Sequence, residues 1–241
     1  MSLVSHPLLW RGKQLSHHVH TLSTGHDVLD EALPGNGWPT GAVTELVNGA
    51  AGCGELSLLL PVLAQLSQEN HWIVMVDPPW IPCPSALHGR GLAVGKLLLI
   101  RTQNRKESLC ACEQVVRGMS GGVMLAWPDS LSFGELRCLQ LAAKSSQKTV
   151  FLFRDRKAAN TSSPAVLRLQ LTPDDGDLQI RVLKCRGQRP TTAIRIRRSQ
   201  LLQLQTVTAG HGKFSKSVLS ADYADYADYK SKSILISEQA F

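Results

Sequence analysis

The sequence lacks the long apolar run that a membrane-spanning helix needs. No stretch approaches the roughly 18 to 20 apolar residues that cross a bilayer, and the N-terminus has no charged segment followed by an apolar signal core. We therefore expect a cytoplasmic protein that makes no contact with membranes. Aromatic residues are also scarce, at 5% of the 241 residues, and all three tyrosines fall in one short repeat near the C-terminus.

Metal-ligand spacing is missing as well. Among six cysteines only Cys110 and Cys112 are close together, and no second pair follows at zinc-site spacing. The neighbouring histidines His17, His18 and His20 have no carboxylate or cysteine beside them, which favours a polar linker face over a metal site. We expect reduced core thiols, no metal and no cofactor.

Short apolar strands alternate with amphipathic helices over most of the chain. This alternation predicts an α/β fold with a mostly parallel sheet flanked by helices. The predicted strands are residues 42–47, 72–76, 97–100, 122–127 and 149–153, and the predicted helices are residues 26–33, 55–68, 108–117 and 133–144. Residues 77–84 contain four prolines, so we expect no regular structure there.

The pattern changes after Phe153. Residues 166–171, 178–184 and 193–197 alternate apolar and polar side chains, and Asp174-Asp-Gly176 has the composition of a hairpin turn. We expect antiparallel strands at the edge of the sheet on the C-terminal side, preceded by a mobile basic loop at residues 154–163.

Three regions follow from these patterns. Residues 1–22 form an N-terminal docking segment, in which Leu8, Leu9 and Trp10 would pack on the main domain or on a partner. Residues 23–198 form the folded domain. Residues 199–241 are expected to be a disordered tail, because its Ala-Asp-Tyr repeat has no apolar face, and we assign that tail no function.

A glycine-rich turn between the first long strand and its helix has the frame of a phosphate-binding loop. The working form, Gly-x-x-x-x-Gly-Lys-Ser/Thr, cradles phosphates with backbone N–H groups, while its Lys and hydroxyl serve the phosphate and Mg²⁺. Gly49, Gly52 and Gly54 keep the frame, but Glu55 stands in the Lys position and Leu56 in the hydroxyl position. The loop is therefore degenerate.

The positive charge is concentrated in one block. Residues 1–153 carry eleven basic and eleven acidic residues, whereas residues 154–198 carry eleven basic and four acidic ones. Such a block is typical of a polyanion contact, although a solvated edge strand would look the same. No aromatic residue is interleaved within residues 154–198, so base stacking has little support. The candidate DNA or partner contacts are Arg154, Arg156, Lys157, Arg181, Lys184, Arg186 and Arg189.

The spaced turns before the glycine loop resemble the opening of the RecA core. The resemblance covers roughly residues 6–198 and rests on Ser23-Thr-Gly25, Gly35, Gly37, Pro39, Gly41 and Thr44-Glu-Leu46. Four further motifs resemble the ImuA family of RecA-like accessory proteins in bacterial mutagenic translesion synthesis, which is similar in turn to the SulA cell-division inhibitors. These motifs are His6-Pro-Leu-Leu-Trp-Arg-Gly12, Trp38-Pro-x-Gly-Ala-x-Thr-Glu-Leu46, Leu58-Leu-Leu-Pro61 and Leu125-Ala-Trp-Pro128.

The resemblance implies where the parts of an ATPase site should stand. The water-activating carboxylate should follow Asp77, but Pro-Pro-Trp80 stands there. The strand-end carboxylate is replaced by Trp127, and Asp129, behind Pro128, could substitute only if the strand ends differently. Together with Glu55 and Leu56, these changes imply no catalytic residue and no meaningful ATPase activity.

The resemblance also implies a function and partners. The leading expectation is a non-catalytic scaffold of SOS-induced, error-prone translesion synthesis and DNA repair. It would bind an ImuB-type polymerase-like subunit and an error-prone replicative-type DNA polymerase, with RecA and DNA as further candidates. One alternative is a SulA-type inhibitor that binds the division GTPase FtsZ. Another is a true ATPase in which Lys184 reaches in from the hairpin to supply the missing Lys.

Overall fold

The structure is a computed structural model, which describes residues 20–49, 52–118, 122–186 and 193–202. The strands are β1 (Thr21–Leu22), β2 (Trp38–Pro39), β3 (Ala42–Asn48), β4 (Ile73–Val76), β5 (Leu97–Ile100), β6 (Val123–Ala126), β7 (Thr149–Asp155), β8 (Leu167–Asp174), β9 (Asp177–Lys184) and β10 (Ile194–Ile196). The helices are α1 (Asp27–Ala32), α2 (Glu55–Gln68), α3 (Pro84–His88), α4 (Arg105–Gly118), α5 (Phe133–Ser146) and α6 (Arg198–Leu201). Short 3-10 helices cover Val94–Lys96 and Arg156–Asn160.

Eight strands form one sheet in the order β10-β9-β8-β3-β7-β6-β4-β5. Strands β8, β3, β7, β6, β4 and β5 run parallel, while β9 and β10 run antiparallel at one edge. One face of the sheet packs its apolar side chains with those of α1, α2, α3 and α6, and the other face packs with α4 and α5. The predicted α/β fold with antiparallel edge strands is confirmed.

Burial on both faces explains the uniform apolar strands. Every residue of β3, β4 and β6 is buried, as parallel strands covered by helices require. In α2, apolar side chains recur at helical spacing and all but one of residues 58–64 are buried, the exception being Pro61. This helix has the bounds that the sequence predicted, and Pro61 is accommodated within its second turn.

Three local expectations were wrong. Strand β8 pairs parallel with β3, not antiparallel. The loop expected at residues 154–163 is instead the end of β7 followed by the 3-10 helix Arg156–Asn160. Both differences have one cause, since residues 156–166 carry the chain from the carboxyl end of β7 back to the amino end of the sheet, and this crossover allows parallel pairing. The third expectation fails at one residue only: residues 77–83 have no regular structure, as predicted, but α3 begins at Pro84, because proline is tolerated in the first turn of a helix.

Two tight contacts hold the ends of neighbouring elements. Gly122 has a φ of +90°, and a Cβ placed on it would lie 2.3 Å from the carbonyl oxygen of Trp72. Lys148 is 2% exposed, and its Nζ donates a hydrogen bond of 2.7 Å to the carbonyl oxygen of Val115 near the C-terminus of α4. Burial lowers the pKa of Lys148. This lysine therefore satisfies a helix-end carbonyl from inside the core.

Within the described residues, no helix has the combined length and hydropathy to cross a membrane. All six cysteines are free thiols. The hairpin turn between β8 and β9 forms as the sequence predicted, with Asp175 and Gly176 in the left-handed region at φ +48° and +85°.

Candidate functional site

The degenerate glycine loop joins the carboxyl end of β3 to the N-terminus of α2. Gly52 and Gly54 have φ values of +87° and +99°, a left-handed conformation that favours glycine. Glu55 is the first residue of α2 and is 5% exposed. Its Oε1 accepts a hydrogen bond of 2.7 Å from the Gly52 N–H. A backbone donor of the kind that would serve a phosphate is thus bound by the chain's own carboxylate.

Apolar packing surrounds the same loop. Leu56 and Cys53 pack against the main core cluster, and Leu201 of α6 belongs to that cluster. A Cβ at Gly54 would lie 3.7 Å from Leu201 Cδ1, so α6 lies against the loop. Arg90 holds α6 there by donating a hydrogen bond to the Leu201 carbonyl oxygen. Burial, and then the charge of Glu55, raises the pKa of Cys53 to about 11, so this thiol stays neutral.

The strand-end positions named by the resemblance also make internal contacts. Trp127 follows β6 and stacks on Phe153 of β7, with ring centroids 4.2 Å apart and planes 2° apart. Asp77 follows β4, and its carboxylate accepts hydrogen bonds from the Thr102 N–H at 2.7 Å and the Thr102 hydroxyl at 2.8 Å. Trp80 lies in the segment where the resemblance implies a water-activating carboxylate, but it is 73% exposed and carries no acidic group. The Asp77 carboxylate therefore joins the end of β4 to the residues that follow β5.

A buried ion-pair cluster crosses the centre of the sheet. Glu45 on β3 is 1% exposed and faces Arg168 on β8, whose Nε donates to Glu45 Oε2 at 2.6 Å. Arg154 on β7 reaches the other oxygen of Glu45 at 3.4 Å. Arg168 also donates to the carbonyl oxygens of Ala158 at 2.6 Å and Thr161 at 2.9 Å. The cluster thus attaches the 3-10 segment after β7 to the sheet.

This cluster changes what the basic block can offer to a partner. The side chain of Arg154 is 10% exposed, and its other contact is with the Leu131 carbonyl oxygen. Burial lowers the pKa of Arg154, and the charge of Glu45 opposes that effect. Little of this guanidinium is left for an outside ligand, so of the predicted contacts Arg154 is the one most occupied by the fold.

Other members of the basic block are exposed. Arg156 and Lys157 lie on the 3-10 segment, Arg181 lies on β9, and Arg186 follows β9. We call Arg156, Lys157 and Arg181 the basic surface. Because Arg181 pairs with Gln170 of β8 and the 3-10 segment contacts Arg168 of the same strand, these residues share the sheet face opposite α2. Together they give this side of the sheet a positive, exposed surface.

Lys184 does not lie beside the glycine loop. It pairs with Arg168, which pairs with Glu45 in the middle of β3, whereas the loop follows the last residue of that strand. Its Nζ donates a hydrogen bond of 2.7 Å to the Ser163 carbonyl oxygen. The position is thus at least three residues, or roughly 10 Å, from the loop along the strand, and nothing in this geometry makes Lys184 a substitute for the missing loop lysine.

A family model described as "Cell division inhibitor SulA" matches residues 41–149. A RecA protein of Chlorobaculum parvum is 31% identical over 115 residues, covering 48% of this chain and 32% of that protein. SulA of Serratia proteamaculans is 26% identical over 148 residues, covering 61% of this chain and 88% of SulA. SulA of Yersinia pestis is 29% identical over 137 residues, covering 57% and 80%.

The chain is related to SulA and RecA. It spans about a third of the length of the RecA relatives it matches. The matched SulA region of this SulA- and RecA-related chain begins one residue before β3 and ends at the start of β7, so it includes the glycine loop. Strands β8, β9 and β10, with Arg181, lie outside that region.

The sequence did not reveal Arg168 as part of the site, nor its ion pair with Glu45. A single charged residue in an otherwise uncharged buried strand was the available signal, because a buried charge needs a partner. Several predicted contacts fall outside the described residues, namely Leu8, Leu9 and Trp10 of the docking segment and Arg189 of the basic block. In the described part of this SulA- and RecA-related chain, no three His, Cys, Asp or Glu residues are grouped to hold a metal ion.

Proposed function

We propose that the chain is a non-catalytic, RecA-like accessory protein of SOS-induced, error-prone translesion DNA synthesis and repair. Its role would be to hold a polymerase complex at damaged DNA, with an ImuB-type polymerase-like subunit and an error-prone replicative-type polymerase as partners. The observation that carries this proposal is the basic surface, which lies outside the region that the SulA family model matches. Phosphate contacts by exposed Arg and Lys would place the complex on DNA without reading its sequence.

The geometry of the glycine loop supports the non-catalytic part of the proposal. Glu55 accepts the hydrogen bond of a loop N–H, and the partly buried Leu56 packs against the core at the position where a metal-binding hydroxyl would be needed. Trp127 stacks on Phe153 instead of offering a carboxylate. We therefore expect the purified chain to release no phosphate from Mg²⁺-ATP above a no-protein control. Turnover abolished by Lys184→Ala would contradict this.

A second candidate function is inhibition of cell division through FtsZ. The specific observation in its favour is the match to SulA, which extends over 88% of the Serratia protein. The relatives of SulA type bear the name of cell-division inhibitors, and the matched region contains four of the six parallel strands, β3 to β6, together with helices α2 to α5.

One experiment separates the two candidates. The full chain is immobilised and offered, in parallel, an ImuB-type subunit and FtsZ from the same bacterium, and the fraction of each retained is measured at low and high salt. Retention of the ImuB-type subunit alone is the expected result. Retention of FtsZ alone, together with filamentation on overexpression, would replace the first proposal by the second.

The basic surface is tested separately by DNA binding. The triple variant Arg156→Ala, Lys157→Ala and Arg181→Ala should bind labelled DNA more weakly, and its salt dependence should fall by about one unit of slope per lost phosphate contact. The matched control removes three exposed basic side chains of α4 and α5, namely Lys106, Arg137 and Lys144. Equal loss of binding in the two triple variants would show that only net charge matters and would refute a defined DNA-binding face.

A further inference from the structure

The side chain of Glu55 turns back into the loop that precedes it. It is 5% exposed, although it stands at the start of a helix where a carboxylate could point to solvent. Oε1 is bound to the Gly52 N–H at 2.7 Å. Consecutive loop N–H groups of this kind, at the positive end of a helix, attract anions. The carboxylate therefore lies where the loop is most electropositive.

The second oxygen of this carboxylate is buried in the same place. Glu55 Oε2 has no hydrogen-bond partner among the described residues. Its neighbour Cys53 is close enough for the charge of Glu55 to act on the thiol, and Leu201 covers Gly54. A buried carboxylate that accepts a hydrogen bond from a loop N–H has the character of a bound anion.

We propose that the Glu55 carboxylate takes the place of a bound phosphate group in the glycine loop. The loop then keeps its left-handed glycines and its contact with α6 without a nucleotide, and it rejects outside anions because the site is already filled by a like charge. This inference does not depend on which partner the chain binds. It implies that removal of the carboxylate uncovers a site for phosphate-type anions.

The test uses the full chain and inorganic pyrophosphate as the probe. Glu55→Ala empties the site, and Glu55→Gln removes the charge while it keeps the shape and one acceptor for the Gly52 N–H. Glu69→Gln, an exposed glutamate at the other end of α2, is the matched control. Calorimetry measures pyrophosphate binding, and thermal unfolding is followed with and without the anion.

Wild type and Glu69→Gln should show no saturable binding and no change in melting temperature with pyrophosphate. Glu55→Ala should melt about 3–12 °C below wild type, from the loss of a charge-assisted hydrogen bond, and pyrophosphate should restore much of that difference. Its affinity for pyrophosphate should exceed that of wild type by at least about tenfold, because a like charge has been removed. If Glu55→Ala does not fold, Glu55→Gln should still gain affinity over wild type, but less than tenfold, because glutamine removes the like charge and keeps the side chain in the site.

Binding elsewhere on the chain is excluded by a second change. Addition of Arg181→Ala to the Glu55→Ala variant should leave the gained affinity intact, because Arg181 lies two strands from β3 and on the sheet face opposite α2. The inference is overturned if neither Glu55 variant gains affinity over wild type. It is also overturned if the gain disappears with Arg181→Ala.

Discussion

Replacement of Glu45 by glutamine is the sharpest test of how the sheet is held together. The substitution keeps the volume of the side chain but removes the carboxylate that contacts both Arg168 and Arg154. Both guanidinium groups would stay in place, since Arg168 also bonds to the carbonyl oxygens of Ala158 and Thr161. The variant therefore leaves positive charge buried without its counter-charge.

The expected loss follows from the burial of the partners. Breaking a buried pair by removing one partner costs about 3–5 kcal/mol. Arg168 should account for most of that loss, because its contact with Glu45 is 2.6 Å whereas that of Arg154 is 3.4 Å. For a domain of this size each kcal/mol shifts the melting temperature by about 2–4 °C, so Glu45→Gln should melt about 6–20 °C lower.

Urea unfolding and thermal unfolding measure this loss, with Glu31→Gln as the control. Glu31 is an exposed glutamate of α1, and its substitution should change the free energy of unfolding by no more than about 0.5 kcal/mol. Addition of Arg168→Met to Glu45→Gln should cost at least about 1 kcal/mol less than the sum of the single effects, because the uncompensated charge is removed. A Glu45→Gln variant as stable as the control, or strict additivity in the double variant, would refute the structural role of the cluster.

Three further predictions concern the backbone, a buried lysine and the thiols. Gly122→Ala should lower the free energy of unfolding by at least about 2 kcal/mol, because its Cβ would collide with a backbone carbonyl at positive φ. Gly134→Ala in α5 should instead raise the free energy of unfolding by about 0.5–1 kcal/mol. If urea unfolding gives the same change for both glycine substitutions, the close approach of Gly122 to the Trp72 carbonyl is contradicted. Lys148→Met should cost about 1–3 kcal/mol by leaving a helix-end carbonyl unpaired. Burial lowers the folded-state pKa of Lys148, so the unfolded chain binds this proton more readily than the folded chain does. The free energy of unfolding of wild type, relative to that of Lys148→Met, should therefore increase as pH rises toward about 10.4. A difference that does not change with pH would contradict this prediction. A hydrogen bond from a neighbouring serine lowers the pKa of the exposed Cys83, so iodoacetamide should modify Cys83 faster than the exposed Cys110, and equal rates by peptide mass spectrometry would contradict this.

Much of the fold could be predicted because its signals are local. Helix α2 and strand β5 have the predicted bounds, since an apolar helical face and an isolated apolar run each identify one element. The direction of β8 could not be predicted in this way. Alternation of apolar and polar residues indicates a half-buried strand, but it is the same for either direction, and only the crossover through residues 156–166 decides it.

The candidate site was harder to predict because its contacts join distant residues. Arg168 and Glu45 are 123 positions apart in the sequence, and the charge count placed Arg168 in a solvent-facing basic block although it is 6% exposed. Composition reports charge but not its burial. The same limit applies to Arg154, because a count of charged residues gives it the same weight as Arg181, although Arg154 is largely buried and Arg181 is exposed.

The absence of a loop lysine does not by itself explain the contacts around the glycine loop. A lost lysine would leave an empty loop whose N–H groups need water or an anion. Here Glu55 supplies the anion, Leu56 joins the core, and Trp127 forms a stack with Phe153. Each of these positions, where an active loop would bind a ligand, makes an internal contact that stabilises the fold without a bound ligand. Restoration of single ligands should therefore remove stability before it adds binding, so Glu55→Lys with Leu56→Thr should lower the melting temperature and still yield no hydrolysis. Appreciable turnover by that double variant would mean that the internal contacts are incidental.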